Sequence, residues 1–237
     1  SYVNNNDVMD VIEVRFGIRM FGIDSKTTRI TINGEITKLH GFNRHTMYPY
    51  TGNALTYAEI QQDVALIKQV GANYIRGAHY PQDQRYLDLL DENGIVEWCE
   101  TLGPGVSTND LNNPYFMKYQ IQAVNEMLDA AINNPSVIIW AFYNEGPSNS
   151  IAASPGYNAS ASAIRARDKT RYVTWASSKK EDDVLIGPIA DIASFNDYPA
   201  WYQQEGNISD CYATWEKHVE FAQQQWPGKP FLISETG

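Results

Sequence analysis

The fold is decided by a run of six apolar residues, Val137-Ile138-Ile139-Trp140-Ala141-Phe142. Such a run predicts a strand that is buried on both faces, which is typical of a parallel sheet covered by helices. Further short strand-like runs occur on both sides of it in the chain. They comprise residues 38–41, 73–76, 95–98, 171–175, 192–195 and 230–233.

Helical patterns alternate with these runs. One helix is predicted to begin after Thr56, because Thr56 and Glu59 have the spacing of a capping box, and to end at Gly71. Two more are predicted at about 115–131 and 211–225. Seven strand–helix repeats of this length favour a (β/α)₈ TIM barrel, an α/β fold, over a doubly wound sheet, whose Gly-rich phosphate loop is missing.

The first part of the chain has a different pattern. Apolar and polar residues alternate over 11–18, and Asn33-Gly34 between 29–32 and 35–37 is a hairpin turn signal. We therefore expect antiparallel strands before the barrel. The seventh run ends near Gly237, so we expect the barrel to be seen only through strand 7 and the chain to begin within a domain.

Composition limits the function classes. The formal net charge of −10 argues against nucleic acid as a partner, since phosphate binding needs a basic surface. Cys99 and Cys211 are far apart in sequence, so we predict free thiols rather than a disulfide or zinc site. We expect no membrane span, no metal and no cofactor. The compartment stays open, a secreted or lysosomal protein being compatible with the sequence, and so does homo-oligomerisation.

Polar residues follow the predicted strands, at the end where barrels carry their active sites. They are Asn43, Arg44, His45, Arg76, His79, Tyr80, Glu100, Asn144, Glu145, Trp175, Asn196, Asp197, Tyr198, Trp201, Tyr202 and Glu235. Glu145 and Glu235 follow strands that face each other across a closed barrel. Either one alone fits a salt bridge at the rim, but the pair fits glycoside hydrolysis, which needs two carboxyl groups flanking one bond.

Several motifs resemble glycoside hydrolase family 2. Asn134-Pro135-Ser136-Val137-Ile138-Ile139-Trp140 leading into Asn144-Glu145 resembles its acid/base signature, and Gly41-Phe42-Asn43-Arg44-His45 resembles its first-strand motif. Arg76-Gly77-Ala78-His79-Tyr80-Pro81 is similar to its second-strand motif, with Ala78 where Ser is usual. Ser234-Glu235-Thr236-Gly237 is similar to its nucleophile motif, with Thr236 where an aromatic residue is usual.

The resemblance implies a domain organisation and roles. Residues 1–24 would be the C-terminal remnant of an immunoglobulin-like β-sandwich, and 25–237 the barrel. Glu145 would be the acid/base, Glu235 the nucleophile of a retaining enzyme, and Asn144 a ligand of the sugar 2-hydroxyl. The other implied substrate-binding residues are Arg76, His79, Asn43, Arg44, His45, Asn196, Tyr198, Trp201 and Tyr202. Arg76 could equally hold the nucleophile carboxylate, and His45 and His79 could be packing residues.

The sugar is less well determined. The stretch Asn196-Asp197-Tyr198-Pro199-Ala200-Trp201-Tyr202 resembles a pocket motif of β-glucuronidases, whereas 41–45 with Tyr48-Pro49 resembles β-galactosidases. We take an exo-acting β-galactosidase as the first hypothesis. The alternatives are a β-glucuronidase of the same family, or a non-catalytic carbohydrate-binding or truncated barrel. After Glu100 the Glu-x-His of a family magnesium site is missing, which agrees with no catalytic metal.

Overall fold

The computed structural model describes residues 2–4, 7–101, 103–202 and 205–237, with side chains from Asp10 onward. The strands are β1 Tyr2–Asn4, β2 Asp7–Asp10, β3 Phe21–Ile23, β4 Ile30–Ile32, β5 Glu35–Ile36, β6 Gly41–Arg44, β7 Tyr74–Gly77, β8 Val96–Glu100, β9 Val137–Ala141, β10 Tyr172–Thr174, β11 Ala193–Asn196 and β12 Phe231–Glu235. The α-helices are α1 Tyr57–Gln69, α2 Gln84–Asn93, α3 Thr108–Leu111, α4 Pro114–Ala131, α5 Ser154–Arg167, α6 Ile186–Ile189 and α7 Ile208–Gln225. Short 3₁₀ helices cover Ile151–Ala153 and Lys180–Asp182.

Parallel strands form the wall of a barrel. Strands β6 to β10 pair in sequence order, β11 pairs with β12, and a bridge between Ser177 and Phe195 joins the two groups. Helices follow most of these strands along the chain, and the main apolar core lies between the helices and the outer face of the sheet. The (β/α)₈ barrel prediction is confirmed, and the described residues contain its first seven strands.

Local signals explain the helix ends. Thr56 and Glu59 form the predicted capping box, which satisfies backbone N–H groups at the start of α1. Gly71 follows α1 with a φ of +77°, a conformation that glycine adopts without steric cost. Asn113 caps α4, and Asn207 caps α7. Helices α2 and α5 were not among the helices predicted from the sequence.

The first barrel strand lies three residues later than its predicted position. Residues 38–40 stay outside the sheet because the Asn73 side chain accepts from the His40 N–H and donates to the Lys38 carbonyl. The strand begins at Gly41, where an added Cβ would come within 1.6 Å of the Tyr74 carbonyl oxygen. Only glycine therefore allows β6 to approach β7 this closely.

The antiparallel part is only partly as predicted. Strands β3, β4 and β5 form a sheet, and Asn33 and Gly34 both have positive φ, as a two-residue hairpin turn requires. The prediction of a strand over 11–18 was wrong, since a strand needs a partner and residues 11–20 pair with none of the described strands. Arg15 donates instead to Glu92. The boundary at residue 24 stays a prediction; β3 and β4 pair across it.

No helix in the described part of the chain is both long and apolar enough to cross a bilayer.

Candidate active site

A buried arginine lies at the centre of the site. Arg76 points from β7 into the barrel, with its side chain fully buried. Its Nη1 donates to Glu235 Oε2 at 2.8 Å, and its Nη2 donates to Asn144 Oδ1 at 2.8 Å. Its Nε donates to Glu100 Oε2 at 3.1 Å. Burial alone would lower the pKa of Arg76, but the two carboxylates outweigh it and raise that pKa, so the cation is retained.

Glu100 is the fully buried partner of this cation. It also accepts from Trp98 Nε1 at 2.7 Å, and His79 Nδ1 lies 2.8 Å from its Oε1. Burial opposes ionisation, yet the Arg76 charge and the hydrogen bonds from His79 and Trp98 lower the pKa of Glu100. His79 Nδ1 also lies 3.1 Å from Arg76 Nη2, so the ring contacts both members of the ion pair.

The two candidate catalytic carboxylates share one hydrogen-bond donor. Asn196 Nδ2 lies 2.8 Å from Glu145 Oε1 and 3.2 Å from Glu235 Oε2. These two oxygens are therefore no further apart than about 6 Å, the limit that their common neighbour allows. Ser234 Oγ donates to Asn196 Oδ1 at 2.7 Å, which fixes the amide so that its nitrogen faces the two glutamates.

The two glutamates have unequal surroundings. Glu235 accepts from Arg76, Asn196 and the Tyr198 hydroxyl. Among the described side chains, Glu145 accepts only from Asn196. Burial and the contact with Glu235 raise the pKa of Tyr198, so its hydroxyl stays a donor. Three donors hold the Glu235 carboxyl group in place, whereas a single donor among the described side chains contacts Glu145.

The backbone is strained where Glu145 enters the site. Tyr143 has a φ of +57° and Glu145 a φ of +56°, both in the left-handed region that favours glycine. The Glu145 N–H donates to the Ala176 carbonyl at 2.8 Å, which holds this loop against the end of β10. Non-glycine residues in such conformations cost about 1–3 kcal/mol each and are enriched at functional sites.

Other predicted residues line the mouth around this centre. Asn43 pairs in register with Arg76, so it faces the interior. The His45 ring lies 5.1 Å from that of His79, and burial lowers the pKa of His45. Trp201 and Tyr202 are 62% and 76% exposed, and the Tyr202 ring lies 5.2 Å from that of Tyr198.

Arg44 requires a correction. Successive side chains of a strand point to opposite faces, so Arg44 points to the helix side when Asn43 points into the barrel. Its guanidinium forms an ion pair with Asp63 on α1 at 2.6 Å and donates to Gln82 at 3.0 Å. The structure therefore separates Arg44 from the other predicted substrate-binding residues and gives it a role in joining β6 to α1.

Some contributors to the site were not selected from the sequence. Glu100 was recognised as a rim residue but left out of the site, because nothing local shows that it would neutralise Arg76. Trp98 and Ser234 were missed because their roles depend on partners on other strands. No cluster of three or more His, Cys, Asp or Glu side chains in the described ranges could hold a metal ion.

The sequence of this chain is similar to those of known glycosidases. The family model for the TIM barrel domain of glycosyl hydrolases family 2 matches residues 23–237. A β-glucuronidase of Paenibacillus borealis is 28% identical over 96% of this chain and 39% of its own length. A β-glucuronidase of Bacteroides fragilis is 32% identical over 97% of this chain and 32% of its own length.

Solved structures agree with these relatives. A family 2 β-galacturonidase from Eisenbergiella tayi with bound galacturonate superposes with a TM-score of 0.86 at 34% identity, covering 94% of this chain and 39% of that one. A β-glucuronidase from Ruminococcus gnavus in complex with C6-substituted uronic isofagomine gives a TM-score of 0.90 at 26% identity, over 99% and 41%. The chain thus spans less than half the length of these proteins.

Replacing Arg76 by Gln should destabilise the protein and reverse the pH dependence of its stability. In the wild type, the lowered pKa of Glu100 contributes stability above the pKa of the unfolded chain, and this is lost as pH falls. Without the cation, burial raises that pKa instead, so stability should fall as pH rises. We expect a loss of about 3–5 kcal/mol near neutral pH, and a smaller loss in mild acid.

The measurement is the thermal unfolding midpoint of the intact protein at several pH values. Arg85→Gln, which removes an exposed arginine paired with Asp83, is the matched control and should shift the midpoint little. A loss that is larger in acid than at neutral pH would contradict this account of Arg76.

Proposed function

Because the chain belongs to the TIM barrel family of glycosyl hydrolases family 2, we propose that the protein is a retaining exo-β-glycosidase that acts on β-linked hexuronides, with β-glucuronides as the first choice. The observation that carries the proposal is the position of Asn196 Nδ2, within hydrogen-bonding distance of both Glu145 and Glu235. It brings two carboxyl groups from separate strands to one point in the barrel mouth.

The spacing supports retention of configuration. Retaining glycosidases hold their carboxyl groups about 5–5.5 Å apart, whereas inverting ones leave about 6.5–9.5 Å for a water molecule. Glu145 Oε1 and Glu235 Oε2 lie within about 6 Å of each other, which is below the range of inverting enzymes. A carboxylate at this distance can attack the sugar directly.

The unequal surroundings of the two acids support their roles. Glu235, held in place by Arg76, Tyr198 and Asn196, attacks the anomeric carbon and forms a covalent glycosyl-enzyme. Glu145 gives its proton to the leaving oxygen in the same step. In the second step Glu145 takes a proton from the water that attacks the anomeric carbon. The bond between the sugar and Glu235 breaks, which releases the sugar and restores the Glu235 carboxylate.

Asn144 is oriented to bind the sugar. Its Oδ1 accepts from Arg76, which leaves the amide Nδ2 as a donor without another partner among the described residues. A donor beside the two carboxyl groups suits the sugar 2-hydroxyl, a contact that strengthens in the transition state. Arg76 thus has a positioning role toward both Asn144 and Glu235, one of the two roles considered from the sequence.

The comparisons favour the alternative substrate over the first hypothesis. The curated relatives are named β-glucuronidases, and the similar structures are of a β-galacturonidase and β-glucuronidases. None of these supports β-galactosidase, which rested on 41–45 and on Tyr48-Pro49. The stretch 196–202 had favoured glucuronidase. A non-catalytic barrel is disfavoured because both carboxyl groups are present and share the Asn196 donor.

A substrate panel tests the proposal. The intact protein should hydrolyse 4-nitrophenyl β-D-glucuronide, with a kcat/KM about 100-fold or more above that for the β-D-galactoside, because a site built for a carboxylate rejects a neutral sugar. The β-D-galacturonide separates the two uronidase types. Preference for the galactoside would restore the first hypothesis. Glu235→Gln protein prepared in the same way controls for contaminating glycosidases.

Labelling should identify the nucleophile. A 2-deoxy-2-fluoro glycosyl fluoride of the preferred sugar should add one sugar to the protein, because the fluorine slows release of the covalent intermediate. Peptide mass spectrometry should place that sugar on Glu235. A sugar on Glu145, or turnover without any trapped intermediate, would be inconsistent with these roles.

The effect of Glu145→Ala on kcat/KM should depend on whether the leaving group needs a proton. For alkyl glycosides, whose leaving oxygen needs a proton, kcat/KM should fall by about 10²–10⁴-fold. For a dinitrophenyl glycoside, whose leaving group departs as an anion, bond cleavage should slow far less. Glu216→Gln on the exposed side of α7 is the control for loss of a carboxyl group. Equal losses on both substrates would remove the acid role from Glu145.

A further inference from the structure

A buried histidine outside the catalytic centre has a carboxylate at each ring nitrogen. His218 lies on α7 and is 5% exposed. Its Nδ1 lies 2.6 Å from Glu181 Oε1, and its Nε2 lies 2.8 Å from Asp197 Oδ2. An ionised carboxylate only accepts hydrogen bonds, so both contacts are made together only when both ring nitrogens carry hydrogen. The ring is therefore held at both nitrogens, from two different directions.

The two acids that contact His218, Glu181 and Asp197, have lowered pKa values. Burial opposes ionisation of Glu181 and Asp197, but hydrogen bonds, including those from His218, and nearby cations lower the pKa of both. Lys180 Nζ binds the other oxygen of Asp197 at 3.0 Å. The result is a row of ionisable side chains in contact, which we call the charge row: Glu181, His218, Asp197 and Lys180.

The charge row connects three elements. Glu181 and Lys180 belong to the 3₁₀ helix after β10, Asp197 directly follows β11, and His218 belongs to α7. The rings of Phe195 and Trp215 lie 5.6 and 5.4 Å from the His218 ring, so the interactions occur at an apolar boundary where they are strong. Lys217 on the same helix is the further nearby cation.

Asp197 lies between two residues that touch the catalytic carboxyl groups. Asn196 contacts both Glu145 and Glu235, and the Tyr198 hydroxyl donates to Glu235. The Asp197 N–H also donates to the Glu235 carbonyl at 3.2 Å. A rotation or shift at Asp197 would move both neighbours relative to Glu235.

We propose that His218 is a positioning residue of the glycosidase, which holds the segment 196–198 against Glu235 through its contact with Asp197. The inference rests on the proposed function and extends it to a helix that does not reach the substrate. The contact to Glu181 has a different role, since it joins α7 to the 3₁₀ helix. The two nitrogens of one ring thus have separable effects on catalysis.

Two substitutions distinguish the nitrogens. The amide nitrogen of Asn takes the place of Nδ1, and that of Gln takes the place of Nε2. His218→Asn keeps a donor for Glu181 and loses the contact with Asp197, while His218→Gln does the reverse. Both replace the imidazole by an uncharged amide, so each is the matched control for the other.

The expected result is a difference in kcat. In the intact protein, His218→Asn should have a kcat at least about 10-fold below that of His218→Gln, because displacement of positioned groups reduces reaction more than binding. KM and the thermal unfolding midpoint should be similar for the two. A role limited to the stability of α7 would instead change the midpoints and leave the two kcat values equal.

A second pair tests the same inference from the acid side, and applies also if the histidine variants do not fold. Asp197→Asn places an amide between His218 and Lys180, where two donors compete for one acceptor, so kcat should fall. Glu181→Gln keeps an acceptor for Nδ1 and should reduce kcat less. Equal kcat values within both pairs would overturn the proposal.

Failure of the proposed function gives a different outcome. A wild-type protein that hydrolyses no aryl β-glycoside overturns the function and, with it, the role of His218. An active wild type with equal kcat in His218→Asn and His218→Gln overturns the positioning role alone.

Discussion

The site depends on the cost of burying one positive charge. The Arg76 guanidinium has no contact with solvent, and an unpaired cation in such a place would cost several kcal/mol. The protein offsets this cost with Glu100 from inside the barrel and Glu235 from the last described strand. The same guanidinium also holds the Glu235 carboxyl group in place and orients the amide of Asn144. The interactions of Arg76 that stabilise the barrel interior are therefore also the ones that position the candidate nucleophile.

The strand containing Asn196 supplies the second constraint. The pairing of β11 with β12 shifts by one residue between Phe195 and Asn196, so Asn196 lies opposite Glu235 rather than Ser234. This irregularity lets the amide face both glutamates, while Ser234 holds its oxygen. Bulges of this kind redirect a side chain next to an active site. The charge row then holds the following residue, Asp197, from the outside of the barrel.

Much of the fold could be predicted because its signals are local. Continuous apolar runs indicated the seven parallel strands, and the Thr56 capping box and Asn33-Gly34 turn were read from neighbouring residues. The errors arose where distant partners decide. The alternating pattern of residues 11–18 resembles a strand, but none of the described strands pairs with this segment. Strand β6 begins three residues later than predicted, and Arg44 in it points to the helix side. Glu100 and His218 looked like ordinary polar residues because their importance comes from contacts with remote segments.

The separation of Arg76 from its partners along the chain has a consequence for biosynthesis. Glu100 lies 24 residues after Arg76, whereas Glu235 lies 159 residues after it. As the ribosome delivers the polypeptide from its amino end, Glu100 can neutralise the guanidinium while the later strands are still being made. Glu235 is synthesised much later, when Arg76 and Glu100 can already be paired. The order of synthesis thus lets Arg76 be neutralised early, whereas the site gains its candidate nucleophile only when β12 docks.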